Sequence, residues 1–331
     1  RYPKKGEVSF RFYILRIYPR DFRVQIGSAP ILREKNCFLC QADTIEGIKI
    51  SEKQKNIELV PTFTYSPSDS REVFDEKIEE DETKKEFGLN LSYKFTSNLI
   101  LNTTINPDFS QVEADVAQID VNTRFALFYP EKRPFFLEGQ TYFTSFLDLL
   151  YTRTMADPTW GIKFTGKEGK DSLGTFIVRD EITNFLFPSN QYSEVDSLDM
   201  KSTSYVLRYK RDLFSDSNIG FIYLKREGDE YKNDNYGIDG RVRIGEQEFL
   251  NFQYVGSITK DPLLPDINKN FDGKEKKGHS FLLNFEHSSR NWYFSTRYLE
   301  KSPNFRADLG FIPRVDVKTF EGFLSYNYYA E

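Results

Sequence analysis

Cysteine, methionine, tryptophan and histidine are scarce, with two of each in 331 residues. His279 and His287 fall on or beside one strand-like stretch, too far apart in register to act as a paired ligand set. Cys37 and Cys40, in NCFLCQ, fill half of a tetrahedral thiolate site, and neither histidine is near them in sequence. A redox CxxC wants a strand-to-helix context, which this segment does not offer. A short-span disulfide in an oxidising compartment is the plain reading, and a reduced, inert pair is the alternative. No apolar run approaches the roughly 20 residues that carry a helix across a bilayer. Mean hydropathy of −0.57 therefore excludes helices in lipid, but not strands, which need only about 9 to 11 alternating residues. No Lys/Arg stripe offsets a net charge of −5, so nucleic acid is excluded as a partner. RYPKKGEVSF has no export signal, so the chain reads as mature or as an internal piece. No cofactor is implied.

Aromatic residues are abundant instead. Thirty-one Phe and 20 Tyr make up most of a 16% aromatic content, beside 29% charged residues. That combination suits strands with one apolar and one polar side. In EFGLNLSYKF, Phe87, Leu89, Leu91, Tyr93 and Phe95 alternate with Gly88, Asn90, Ser92 and Lys94, a period of two. Thr96-Ser97-Asn98 turns the chain into LILNTTIN, making a hairpin. TSYVLRYKR, SNIGFIYLKRE, YGIDGRVRIG, FLNFQYVGSI, HSFLLNFEHS, NWYFSTRYLE and TFEGFLSYNYY repeat the pattern, with polar joins between them. A soluble sandwich alternates too. Consecutive hairpins, apolar faces rich in Tyr and Phe, and opposite faces dense in charge favour an all-β, antiparallel up-and-down transmembrane β-barrel. The expected strand number is roughly ten to fourteen, ordinary for such a barrel.

Residues 106–139, NPDFSQVEADVAQIDVNTRFALFYPEKRPFFLEG, break the alternation. Irregular backbone at membrane depth is tolerated only inside protein or along a wet cavity. Residues 106–153 are therefore expected to fold inward as a plug or to sit at a rim. Paired carboxylates such as Glu131 and Glu138, or Asp108 and Glu113, would suit glycoside hydrolysis. Lys132 and Arg133 beside Glu131 argue against it, because they hold carboxylates ionised, the wrong direction for a general acid. Asp108, Glu113 and Asp115 could offer oxygens to Ca²⁺, but without the glycine-turned loop of an EF-hand. The favoured reading is a structural ion-pair network. Asp108, Glu113, Asp115, Glu131 and Glu138 are its anions, and Arg124, Lys132, Arg133 and Arg153 its cations, with Phe135 and Phe136 as a hydrophobic anchor. On this reading the chain is not an enzyme.

NPDFSQVEAD, YPEKRPFFLEG, LLYTR and WGIKFTGKEG, in that order, resemble the bacterial family of domain of unknown function 5916. DTIEGIKI with KNIELVPTFTYS, and later GFIPRVDV, resemble further motifs of that family. After Tyr151, where the family shows two adjacent arginines, this chain has Arg153 followed by Thr154. The resemblance implies a β-barrel in the outer membrane of a Gram-negative bacterium, following a domain similar to family-9 carbohydrate-binding modules. Residues 1–40 would be the tail of that domain and 41–331 the barrel. The barrel would be incomplete at its C-terminus, where YNYYAE lacks the terminal aromatic of a finished barrel. The expected role is passage, capture or surface presentation of a ligand, with carbohydrate suggested by the neighbouring domain. Outer-membrane lipid, and on one reading other envelope proteins, would be the partners. The alternatives are a soluble or surface carbohydrate-active enzyme and a structural subunit of an envelope complex.

Overall fold

The computed structural model describes residues 6–18, 24–32, 38–50, 56–66, 69–70, 79–80, 84–96, 98–107, 124–214 and 216–328. Four short strands come first, β1 (Gly6–Phe12), β2 (Leu15–Tyr18), β3 (Val24–Gly27) and β4 (Asp43–Ile50). β1 pairs with β4 and β2 with β3, in two small sheets of their own. The strand 43–50, assigned to the barrel from sequence, thus pairs with the N-terminal strand, and the main sheet begins at residue 57. Cys40 is disulfide-bonded, and Cys37 lies outside the described residues.

The main sheet opens with β5 (Ile57–Ser66), and a two-residue pair follows, β6 (Asp69–Ser70) and β7 (Glu79–Glu80). It continues through β8 (Lys84–Lys94), β9 (Leu99–Ile105), β10 (Pro158–Glu168) and β11 (Asp171–Asp180). A side hairpin, β12 (Thr183–Pro188) with β13 (Ser193–Leu198), interrupts it before β14 (Ser202–Asp212), β15 (Asn218–Gly228) and β16 (Tyr231–Arg243). The last four strands are β17 (Glu248–Lys260), β18 (Glu275–Ser288), β19 (Trp292–Lys301) and β20 (Val317–Tyr326). The order β20-β19-β18-β17-β16-β15-β14-β11-β10-β9-β8-β5 is a twelve-stranded antiparallel up-and-down meander, within the expected range. β5 and β20 are its two edges, and they are not paired with each other.

The two ends of the meander differ. At one end the joins are tight, Gly169-Lys170 between β10 and β11 and Ser289–Asn291 between β18 and β19. The long connections 106–157, 181–201, 261–274 and 302–316 all leave from the opposite end. The two faces differ as well. Trp160, Ile162, Ile177, Leu207, Ile219, Phe221, Tyr236, Ile238 and Tyr254 project from one face and are exposed. Lys163, Arg208, Arg226, Asn235, Asp239 and Gln253 project from the other, and all are buried. A soluble sheet leaves no such apolar row to water, so what sets this sheet apart is its outer face, while the inner face carries buried charges beside buried apolar groups.

The inner face is covered by residues of 124–157 and 302–316, from two of the long connections. One apolar cluster joins Phe135, Phe136, Phe143, Leu147 and Leu149 of the first, and Phe305, Leu309 and Ile312 of the second, to Phe176, Val206, Ile222, Val255 and Leu282 of the wall. Those wall residues come from β11, β14, β15, β17 and β18, so a single compact cluster touches much of the sheet's width.

Candidate functional site

The first inward segment leaves the wall after β9 and returns at β10, although those two strands are hydrogen-bonded neighbours. Its anchor is a single turn of helix, α1 (Pro134–Leu137). Pro134 opens the turn because its missing N–H would have no helical partner there. The turn buries Phe135 and Phe136 edge to face, with ring centroids 5.1 Å apart. Aromatic pairs prefer that arrangement because a positive ring edge meets a negative face. Arg133 lies over the Phe136 ring at 4.4 Å.

Glu131 and Arg133 form the tightest polar unit of the segment. Arg133 Nε and Nη2 donate to the two Glu131 oxygens at 2.8 and 2.7 Å, and both side chains are about 5% exposed. Glu131 also accepts from the Lys132 and Arg133 amides and, at 2.5 Å, from Thr152 Oγ1. The remaining Arg133 donors reach the carbonyls of Met155 and Thr152, closing the segment into a loop. Burial alone would push the Glu131 carboxyl up, but the bonds from Arg133 and Thr152 outweigh it and hold the group below its usual range. A carboxylate with all these donors is a structural acceptor, and it has no proton to give.

Glu138 accepts from Asn102 Nδ2 of β9 at 2.7 Å, while its carbonyl and that of Phe135 accept from Lys163 Nζ of β10. Asp180, at the end of β11, accepts from the amides of Ala156 and Asp157, and Arg226 Nη2 donates to Thr154 O. The tip of the segment is fixed to a distant strand of the wall, where Leu147 N donates to Gln253 Oε1 of β17 at 2.8 Å. A cavity of about 170 Å³ lies between segment and wall, with Phe128, Phe136, Phe143, Tyr151 and Phe176 among its walls and Glu131, Asp148 and Lys163 on its lining.

The second inward segment, 302–316, locks onto the first. Tyr151 N donates to Leu309 O at 2.6 Å and Phe311 N to Asp148 O at 2.8 Å. A Cβ on Gly310 would stand 2.4 Å from Asp148 O, so only glycine allows this approach. Arg306 in turn pins the second segment to the wall. It takes Asp308 bidentately at 3.0 and 2.8 Å and Asp261 at 2.6 Å, and Tyr231 donates to Asp308 at 2.6 Å.

Of the residues expected in the ion-pair network, Glu131 and Arg133 meet each other, and Glu138 meets Asn102. Lys132 is half-buried and gives its amide to Glu131, while Arg153 is half-buried in the 3₁₀ turn Thr152–Thr154. Arg124 stands apart and exposed, its carbonyl accepting from Ser193 of β13, and its side chain has no ion pair among the described residues. Asp108, Glu113 and Asp115 lie outside the described residues, and so does any Ca²⁺ site built from them. No group of three metal-ligating side chains occurs among the described residues. His287 bonds Glu248 at 2.9 Å instead of a second histidine. Sequence reasoning missed Lys163, Asn102, Asp180, Arg226 and the whole Arg306 network. Lys163 alone carried a signal, as a lysine between Gly161 and Thr165 on the small-residue face of WGIKFTGKEG.

No curated protein matches the chain. Among solved structures it is similar to the trimer form of OmpT, an outer-membrane protein of Vibrio cholerae. The match has 10% identity and a TM-score of 0.36, and covers 83% of this chain and 100% of that one. It is also similar to the outer-membrane channel DcaP of Acinetobacter baumannii, with 9% identity and a TM-score of 0.36, over 98% of this chain and 79% of that one. Residues 62–169, which include β10 and the whole connection that precedes it, match the family model described as domain of unknown function DUF5916, the family that the sequence motifs resemble.

Proposed function

We propose that this chain is the wall and plug of an outer-membrane β-barrel that passes or captures a small ligand. The observation that carries the reading is the apolar, exposed outer face of the sheet, set against a covered inner face that carries buried charges. Charged side chains in membrane proteins face a protein interior or wet cavity, and lipid-facing strands alternate as these do. The unequal ends support the reading, since barrels of this class have short turns on one side of the membrane and long loops on the other. Trp292 and Tyr326, 4.7 Å apart at the short-turn end, and Trp160 at the other suit the two interfacial girdles. The unpaired edges β5 and β20 support a wall that further strands complete.

Carbohydrate is the ligand class that the family resemblance implies. The cavity beside Tyr151 supports it, since aromatic side chains wall it and Asp148 and Lys163 stand among them as polar groups. Solubility tests the membrane reading, which expects a protein that stays folded only in detergent or lipid and shifts its gel migration on boiling. A monodisperse, folded protein in plain buffer overturns it. Entry of neutral solutes into liposomes holding the protein separates passage from a sealed structural barrel.

A further inference from the structure

Buried polar atoms are nearly always hydrogen-bonded, and each exception asks for a cause. Among the described residues, five of the ten such atoms gather on one strip of the inner wall. Arg208 Nε and Nη1, Asp239 Oδ2, Asn251 Oδ1 and Gln253 Nε2 have no partner among the described residues, and all four side chains are at least nine-tenths buried. The register makes them one patch. Asp239 faces Gln253 across β16 and β17, and Asn251 lies one inward position further along β17. Arg208, on β14, reaches over Gly220 of β15 to bond Asp239 at 2.8 Å. A Cβ on Gly220 would stand 2.4 Å from Arg208 Nη1, so the glycine opens the space in which the guanidinium lies. Gln253 has a double position, because its Oε1 holds the plug tip at Leu147 while its Nε2 is left unpartnered.

We propose that this strip is the solute-contact site of the passage, covered by the plug tip at rest and uncovered when Leu147 withdraws, and that it takes a small zwitterion of the α-amino-acid type. The inference rests on the passage reading above. Arg208 and Gln253 present the free donors, matched to a carboxylate, and Arg is the side chain best shaped for one. Asp239 and Asn251 present the free acceptors, matched to an ammonium group. A lone anion would meet the donors and leave Asp239 unanswered beside it. A lone cation would meet the acceptors and face Arg208. Only a solute with both groups satisfies the strip, and pore linings select by such arrangements.

The experiment compares entry of glycine, methanesulfonate, tetramethylammonium and glycerol into liposomes that hold the whole chain. Glycine should enter faster than either ion. Arg208→Gln with Asp239→Asn, which keeps shape and removes charge, should lower that preference, read relative to glycerol entry, by about tenfold. Asn251→Asp, a smaller change, should move the preference toward tetramethylammonium, so the idea does not depend on one variant folding. Glycerol entry with no preference for glycine, or a preference that survives the double variant, overturns the zwitterion site while passage stands. If glycerol does not enter either, passage itself fails and the site falls with it.

Discussion

Arg133 and Glu131 show why a crowd of carboxylates near a helix turn is poor grounds for catalysis. Each acidic oxygen here is saturated by donors that the same segment supplies, so the charge holds structure in place. Arg133→Ala should cost about 3 to 5 kcal/mol, because it strands a buried carboxylate. Urea titration of the folded protein in lipid reads that loss directly. The pH dependence follows from the lowered value of the Glu131 carboxyl. A group depressed in the folded state contributes stability above its ordinary value of 4.5, and loses it as pH falls through the lower folded value. Unfolding of the wild type should therefore ease below about pH 4.5, while Glu131→Gln should be weaker at neutral pH and flatter across that window. Equal slopes for the two proteins would remove Glu131 as the cause.

The strands were legible in the sequence and the plug was half legible, for a reason that separates the two kinds of element. A strand writes its two faces into successive residues, so the spacing of Tyr205, Leu207 and Tyr209 is enough to declare an outer face. An inward segment declares only that it is irregular, because its partners are set by distant chain. Lys163 joins it from β10, Asn102 from β9 and Gln253 from β17, and no local pattern links those residues to it. Residues 302–316 were less legible still. GFIPRVDV stood out as a motif, but SPNFRADLG before it reads as an ordinary polar loop, although Arg306 and Asp308 are buried there. The interlock of the two segments yields a prediction at this scale. Gly310→Val should part Leu309 and Phe311 from Asp148 and Tyr151, because a side chain cannot fit against the Asp148 carbonyl. Amide exchange should then rise at Tyr151 and Phe311 and stay slow in β14 through β17. Uniform exchange across wall and plug would show that the segments are not a separable unit. Lys163→Met tests the wall side of the same attachment. Leaving the Phe135 and Glu138 carbonyls without their donor should cost about 1 to 3 kcal/mol, read as faster exchange in α1.

The whole molecule turns on which solvent meets its outer face. In water, the exposed row of Ile162, Ile177, Ile219, Phe221 and Ile238 would be a large adhesive patch, and a soluble protein would gain by losing it. In lipid the same row is the favoured surface, and the buried charges opposite it face the lumen. The two cases give opposite signs for one substitution. Ile238, in the middle of β16 and 49% exposed, touches neither the plug nor the inner network. Ile238→Arg on a water-facing surface should be neutral within about 0.5 kcal/mol, or improve solubility. At the middle of a lipid-facing strand it should cost about 2 to 4 kcal/mol, and the cost should shrink toward the ends of the sheet, for instance at Ile219→Arg near the short-turn end. Measured as folded fraction in bilayers across urea, that depth profile separates a lipid-facing wall from a water-facing one. Equal, small effects at both positions would place the apolar face against something other than lipid.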